Sequence, residues 1–155
     1  MKINWKTLVI SLAIPLGVGG LATLLSGGMD AYGQFNQPPL SPPGWVFPVV
    51  WTILYLLMGY ASYRVYTSDA DPAAIRKALI FYGIQLFFNF LWPILFFGLQ
   101  WYFAAFLLLL VLWVFVYLTM FYFGQIDDTA ENLLIPYLLW ATFAGYLNLG
   151  VALLN

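Results

Sequence analysis

Cysteine and histidine are both absent from this chain, and charged residues make up only 7% of it. Without cysteine there is no disulfide framework and no thiolate to bind a metal or attack a substrate. Without histidine the chain lacks imidazole metal ligands, the usual axial ligand of haem and the commonest general base. The formal net charge of −1 leaves no basic surface for nucleic acid. We therefore expect no metal site of these types, no catalysis by Cys or His and no nucleic-acid partner.

Apolar residues are correspondingly abundant, at 64% of 155 residues, and aromatic residues alone make up 21%, with seven tryptophans. A soluble domain carries roughly 25% charged residues. A soluble fold of this length with so few polar side chains cannot keep its apolar surface away from water. A lipid bilayer removes that requirement, because the outer surface of the protein then faces acyl chains. The composition predicts an integral membrane protein.

Five stretches are long and apolar enough to cross a bilayer as helices, which takes about 20 residues each. They run approximately over residues 8–25, 45–66, 77–98, 101–123 and 133–154. The longest connection, residues 27–44, contains four prolines between positions 38 and 43, which exclude a helix there. The turn at residues 98–100 is so short that the third and fourth spans should be antiparallel neighbours. We predict an all-α, five-transmembrane-helix bundle forming a single domain over residues 1–155.

The basic residues predict the orientation of the bundle. If the chain crosses the membrane five times, its five basic residues all fall on the side that holds the N-terminus: Lys2, Lys6, Arg64, Arg76 and Lys77. The positive-inside rule then places the N-terminus in the cytoplasm and the C-terminus outside. A cleaved signal peptide is the alternative for the first span, but its apolar run is long and no good small-residue cleavage site follows.

Polar residues within the spans are few. No acidic or basic side chain lies near the middle of any span, which argues against an ion or proton pathway. The third span carries Gln85, Asn89 and Trp92 at a spacing that puts them on one face. Because an amide facing lipid is costly, this stripe should face the bundle interior. Two interpretations remain open: hydrogen bonds between helices, or hydrogen bonds to a ligand within the bundle.

Aromatic residues repeat every fourth position along the second span, at Phe47, Trp51 and Tyr55. The fifth span places a comparable set on one face: Trp140, Phe143, Ala144 and Leu147. Ordinary helix packing explains both sets. An aromatic-walled cavity for a flat apolar ligand explains them as well, since rings stack on such a ligand and indole N–H groups can bond its polar edge.

Three segments resemble a known family. Residues 38–55, PPLSPPGWVFPVVWTILY, resemble the signature of the TspO/MBR family, which comprises bacterial tryptophan-rich sensory proteins and the mitochondrial translocator protein, or peripheral-type benzodiazepine receptor. Residues 85–98 and 136–148 resemble the third and fifth helices of that family. The resemblance covers nearly the whole chain.

The resemblance implies a five-helix bundle whose ligand cavity opens toward the first loop, which acts as a lid. Members of the family bind porphyrins such as protoporphyrin IX and haem, synthetic isoquinoline carboxamides and benzodiazepines and, in animals, cholesterol. It also implies a homodimer and, for a bacterial member, the cell membrane. No resident cofactor is expected, and the porphyrin would be a ligand. The animal cholesterol motif ends in an arginine that is missing after Tyr146, so cholesterol is not expected as the natural ligand.

The resemblance also assigns site residues. Trp51 and Trp140 would be cavity tryptophans, with the macrocycle between the second and fifth spans, and Asn89 would face the ligand. The cavity wall would include Tyr55, Phe143, Ala144 and Leu147, Phe47 belongs with them by its spacing from Trp51, and Tyr32 is the candidate lid residue. Three functions follow: a tetrapyrrole receptor or sensor, a light-dependent porphyrin-degrading enzyme with Trp51 and Trp140 as electron donors, or a transporter of porphyrin or lipid.

Overall fold

The computed structural model describes residues 2–28 and 32–155, so residues 29–31 of the expected lid loop lie outside the described part. Helices account for all the regular structure that is described. They are α1 (Trp5–Ser26), α2 (Val46–Tyr66), α3 (Pro72–Pro93), α4 (Tyr102–Gly124), the short α5 (Asp128–Leu133) and α6 (Ile135–Leu154). A π-helical turn, Ile94–Gly98, continues α3. With α5 and α6 counted as one segment, five segments are long and apolar enough to span a membrane, which confirms the all-α fold class.

Side-chain caps fix where the helices begin at the end of the bundle that carries the N-terminus. Asn4 accepts a hydrogen bond from the Thr7 N–H at 3.2 Å, and α1 begins at the next residue. Asp71 accepts from the Ala73 N–H at 3.2 Å, and Pro72 occupies the first turn of α3, where its missing N–H costs nothing. Helix α3 therefore begins at Pro72, before Lys77, the residue at which the third span was predicted to start.

The helices pack in a ring. Helix α3 packs between α1 and α4, α4 also packs along α6, and α2 packs on α1 and α5. Helices α2 and α6 meet through large rings: the Phe47 and Trp140 centroids lie 5.7 Å apart, and those of Trp51 and Tyr137 lie 6.2 Å apart. The interior of the bundle is therefore aromatic where α2 faces α6.

Residues 32–44 of the first loop cover one end of this ring. The Phe35 ring lies 5.5 Å from Phe96 and 5.6 Å from Tyr102, each edge to face. The Tyr146 hydroxyl of α6 donates to the Pro39 carbonyl at 2.6 Å. At Asn155 the side chain accepts from the Asn36 N–H at 3.0 Å and donates to the Asn36 carbonyl at 2.8 Å. The loop is thus fastened to the end of α6.

An ion pair stands at the opposite end of the bundle. The Arg64 guanidinium, in the last turn of α2, donates to both carboxylate oxygens of Asp127, which caps α5. The hydrogen bond from Arg64 holds the pKa of Asp127 below its usual range. The pair ties the end of α2 to the start of α5.

Candidate ligand-binding cavity

A cavity of about 160 Å³ lies mainly between α1, α2 and α3, toward the end of the bundle that carries the first loop. Leu109 and Leu112 of α4, Ala144 of α6 and Gly28 of the first loop complete its lining. Helix α2 supplies one wall with Phe47, Pro48, Trp51 and Tyr55. Helix α3 and its π turn supply a second wall with Asn89, Trp92, Pro93 and Phe97. Helix α1 lines it only with small residues, namely Gly19, Ala22, Thr23 and Ser26. None of the described lining residues is charged.

Small residues on α1 are what allow it to approach the aromatic wall. Its buried residues are Pro15, Gly19, Ala22 and Ser26, which fall on one stripe of the helix. A Cβ atom on Gly19 would lie 2.2 Å from Cε2 of Tyr55, so the ring of Tyr55 rests directly on the backbone of α1. The stripe closes the cavity without filling it.

A chain of hydrogen bonds forms the polar floor of the cavity. The Tyr55 hydroxyl donates to Oδ1 of Asn89 at 2.8 Å, and Nδ2 of Asn89 donates to the Tyr137 hydroxyl at 2.7 Å. The Tyr137 hydroxyl in turn donates to Oε1 of Gln85 at 2.7 Å. The amides of Gln85 and Asn89 both join helices, and Asn89 also lines the cavity. Any ligand that hydrogen-bonds Asn89 must therefore compete with Tyr55 or Tyr137.

Trp92 is held by a second set of buried hydrogen bonds. Its indole N–H donates to Oδ1 of Asn148 at 2.9 Å, and the Asn148 amide donates to the Tyr102 carbonyl at 2.8 Å. Its ring stacks on Phe96 with centroids 5.0 Å apart. Because both the ring plane and the N–H are fixed, Trp92 is a rigid part of the cavity wall. Two residues of the predicted stripe on the third span, Asn89 and Trp92, thus line the same cavity.

The space between α2 and α6, where the sequence placed the macrocycle, is filled by side chains. Trp51 stacks on Tyr55 at 5.6 Å and meets Trp140 edge to face at 6.5 Å. Phe143 packs on Trp140 at 5.7 Å. Of the described residues, Trp140 is one of two with a buried side-chain polar atom, here the indole N–H, that has no hydrogen-bond partner. Trp51 lines the cavity and Trp140 does not, so Trp51 lies between Trp140 and the cavity.

A second, smaller cavity of about 20 Å³ lies under the loop. Tyr32 and Leu147 line it, together with the loop residues Phe35, Gln37 and Ser41. Both cavities share four lining residues, Phe47, Trp92, Phe97 and Ala144, which therefore form the partition between them. The Tyr32 ring rests on this partition, 4.9 Å from Phe47.

The residues singled out in the sequence are thus distributed over three positions. The larger cavity is lined by Phe47, Trp51, Tyr55, Asn89 and Ala144. Tyr32 and Leu147 line only the smaller cavity, and Trp140 and Phe143 line neither. The stripe on α1 was not predicted, although the recurrence of small residues at positions 19, 22, 23 and 26 is visible in the sequence.

This arrangement suits a flat, largely apolar guest with one hydrogen-bonding edge. Trp51 and Trp92 offer ring faces, and Asn89 with Tyr55 offers polar atoms at the floor. Sites for drug-sized ligands commonly measure about 300–1,000 Å³. At about 160 Å³ this cavity must enlarge before it takes a guest of that size.

Comparison with known proteins agrees with this architecture. A sequence profile of the TspO/MBR family matches residues 8–154. The tryptophan-rich sensory protein of Cereibacter sphaeroides is 39% identical over 155 residues, covering 100% of this chain and 95% of that protein. The tryptophan-rich protein TspO of Chlorobaculum tepidum is 35% identical over 148 residues, 96% of this chain and 94% of that protein. The translocator protein of Ovis aries is 34% identical over 137 residues, 86% of this chain and 80% of that protein. With five membrane-spanning helices and a family match along almost its whole length, this chain belongs to the TspO/MBR family.

Proposed function

We propose that this protein is a membrane receptor that binds a tetrapyrrole, such as protoporphyrin IX, in the cavity between α1, α2 and α3. Its relatives, a sensory protein and a translocator protein among them, support a membrane receptor, sensor or transporter role. The observation that carries the ligand class is the pair of aromatic walls, Trp51 with Tyr55 and Trp92 with Phe97, around the Asn89 amide. A macrocycle would offer both faces to these rings and a polar edge to the floor.

The test is a titration of the purified protein with protoporphyrin IX, followed by quenching of tryptophan fluorescence. Trp51→Phe replaces the indole of the cavity wall by a smaller phenyl ring. It should raise the Kd for protoporphyrin IX by about three- to tenfold, since one aromatic contact contributes about 0.5–1.5 kcal/mol. Trp45→Phe is the matched control, because Trp45 is exposed and lies outside the described cavity lining. Equal affinities for the two variants would count against the cavity as the binding site.

Iron should contribute little to binding. The chain has no cysteine or histidine, so a bound haem would find neither of the two strongest axial ligands. We expect haem and metal-free protoporphyrin to bind with affinities within a few-fold of each other. A large preference for iron that survives substitution of the tyrosines and methionines near the cavity would contradict this view of the site.

A light-dependent porphyrin-degrading enzyme is the second candidate, favoured by the contact between Trp51 and Trp140. An excited porphyrin beside Trp51 can take one electron from the indole, which leaves a porphyrin radical anion and a tryptophan radical cation; Trp140, with its ring centroid 6.5 Å from that of Trp51, can reduce Trp51 and carry the radical cation in its place. Dioxygen from air would add to the porphyrin radical anion, and return of one electron from this adduct to the oxidised tryptophan would restore the indole and leave the oxygenated porphyrin as product. Illumination of wild type and Trp51→Phe with bound protoporphyrin under air separates the candidates. Equal product formation would leave Trp51 with a binding role alone.

The setting we propose is a bacterial cell membrane, with the N-terminus in the cytoplasm and the protein as a homodimer. All five basic side chains lie at the end of the bundle where α1 begins, which supports this orientation. Transport of porphyrin or lipid remains a third hypothesis. A liposome flux assay in which the protein moves no porphyrin across the bilayer would dismiss it.

A further inference from the structure

In the first loop, Gly28 lines the larger cavity, whereas none of residues 32–44 does. Residues 32–44 line only the smaller cavity, and the partition of Phe47, Trp92, Phe97 and Ala144 stands between the two. On the side of α1 and α2 the situation differs, because Thr23 and Pro48 line the larger cavity and are also exposed on the outside of the bundle. The cavity therefore approaches the surface sideways, between two membrane-spanning helices.

Helices α1 and α2 are close at one end of their contact and diverge at the other. A Cβ atom on Gly59 would lie 2.7 Å from the Ser11 carbonyl oxygen and 3.0 Å from Cα of Leu12, so the two backbones touch there. From Gly19 onward the residues of α1 face the cavity instead of a neighbouring backbone. At its far end α1 approaches another backbone again, where a Cβ atom on Gly98 would lie 3.4 Å from Cα of Ser26.

Pro15 lies between the part of α1 that touches the α2 backbone and the part that lines the cavity, and we take it as the hinge of α1. Pro15 has no N–H, so the Ser11 carbonyl loses its usual helical donor, and that same carbonyl is the one facing Gly59. Gly17 and Gly20 follow on the exposed side with nothing packed against them. Helix α1 is the least buried of the five spans, with 17% of its span buried against 33–44% for the other four.

We propose that the cavity is loaded sideways from the bilayer, by outward rotation of residues 16–26 of α1 about Pro15, and that its guest is a flat amphiphile dissolved in the membrane. The same rotation opens the gap at Thr23 and Pro48 and supplies the missing volume. This inference rests on the proposed function for the identity of the guest. The movement of α1 does not depend on it.

The gate is tested without any porphyrin, by reaction of buried cysteines with N-phenylmaleimide dissolved in the membrane of proteoliposomes. The chain has no cysteine of its own, so each introduced thiol is the only target. Ala22→Cys and Ser26→Cys each place a thiol on a buried, cavity-lining position of α1. Leu24→Cys, at 80% exposure, is the open control, and Ala78→Cys, at 0% exposure and outside the described lining, is the closed one.

The expected result is that cysteines at positions 22 and 26 react more slowly than the one at position 24 and much faster than the one at position 78. Pro15→Ala restores a backbone hydrogen bond and should slow the reaction at positions 22 and 26 by about threefold to tenfold. It should leave the reaction at position 24 unchanged. Reaction no faster than at position 78 would overturn the proposal.

A disulfide that ties the first loop to α6 provides a second test of the access route. A Cβ atom on Gly150 would lie 2.5 Å from the Cβ of Pro38, so Pro38→Cys with Gly150→Cys can form a disulfide after a shift of about 1 Å. The tether holds the loop on α6. Alkylation at position 26 should proceed at an unchanged rate in the tethered protein, whereas a rate that falls to that of position 78 would show access through the loop and overturn the proposal.

Adding protoporphyrin IX to the same vesicles then distinguishes the proposed tetrapyrrole receptor from the proposed movement of α1. Quenching that persists with the tethered loop and slows with Pro15→Ala supports loading of this guest from the bilayer. Reactive thiols with no quenching in wild type would reject the tetrapyrrole and keep the gate. Normal quenching with unreactive thiols would reject the gate and keep the receptor.

Discussion

At the scale of single residues, the Tyr137 hydroxyl joins α6 to two amides of α3, and one of these amides continues the chain of hydrogen bonds to α2. It accepts from Asn89 and donates to Gln85, and the side chain is only 1% exposed. Asn89 also accepts from Tyr55, so one tyrosine of α6 positions the amide that faces the cavity. Such hydrogen bonds within a membrane contribute about 0.6–2 kcal/mol each.

Tyr137→Phe should lower the free energy of unfolding by about 1–3 kcal/mol, because it leaves a buried amide N–H and a buried amide carbonyl without partners. The measurement is unfolding of the detergent-solubilised protein by a denaturing detergent. Tyr117→Phe is the matched control, since Tyr117 lies exposed on α4. A loss no larger than in the control would show that the chain of hydrogen bonds contributes nothing to stability.

The Arg64–Asp127 pair predicts a dependence of stability on pH. The folded protein lowers the pKa of Asp127, so the unfolded chain takes up the proton more readily. The contribution is fully present above the unfolded pKa, near 3.9, and is lost as the pH falls through the lower folded-state pKa. Because both side chains are partly exposed, at 32% and 22%, we expect only about 0.5–1 kcal/mol.

Asp127→Asn keeps an oxygen to cap α5 but removes the charge. The stability difference between wild type and this variant should be largest near neutral pH and shrink toward pH 3, as followed by unfolding midpoints at each pH. Asp128→Asn, an exposed change at the next residue, controls for net charge. A difference that stays constant over the whole range would refute the pair as its source.

At the scale of helices, glycines set how closely α1 approaches its neighbours. The contact of Gly59 with the Ser11 carbonyl joins two backbones, neither of which can yield as a flexible side chain would. Small residues at helix crossings are the usual means of close approach in membranes, where packing replaces the hydrophobic effect. This crossing anchors the part of α1 that precedes Pro15.

Gly59→Ala should destabilise the protein by about 1–3 kcal/mol, because the added methyl group pushes α1 away from α2. Gly145→Ala adds the same group to α6 where nothing lies within 4 Å. That control should be neutral or slightly stabilising, since alanine favours a helix over glycine by up to about 1 kcal/mol. Thermal unfolding in detergent measures both. Equal effects would mean that the crossing tolerates the methyl group.

At the scale of the whole molecule, basic charge is confined to one end. The basic residues and the Arg64–Asp127 pair lie where α1 begins, and the first loop at the other end has no Lys or Arg. The middle of the bundle carries amides and hydroxyls but no charged group among the described cavity residues. A bilayer selects this distribution, because charge is costly within it.

Orientation can be measured directly, because the chain has no cysteine. Gln34→Cys and Asp69→Cys place exposed thiols at opposite ends of the bundle. In intact bacterial cells a membrane-impermeant maleimide should label position 34 at once and position 69 only after permeabilisation. The reverse pattern would place the N-terminus outside and contradict the positive-inside assignment.

The five helices follow from the sequence alone, because backbone groups in lipid must bond within a helix and crossing a bilayer takes about 20 apolar residues. It also indicated that the stripe of Gln85, Asn89 and Trp92 faces inward, since an amide in lipid is costly. The periodicity of α6 likewise grouped Trp140 with Phe143, and the two do pack together.

The position of the empty space depends on how the helices pack, and the sequence did not predict it. Periodicity shows which face of a helix is inward, but a cavity forms where neighbouring side chains fail to meet, and that depends on the distance between helices. Trp140 meets Trp51 and Phe47 and fills its space, whereas the small side chains of Ala22 and Ser26 on α1 leave theirs unfilled. The cavity is therefore defined as much by the smallest residues of α1 as by the largest residues of α2 and α3.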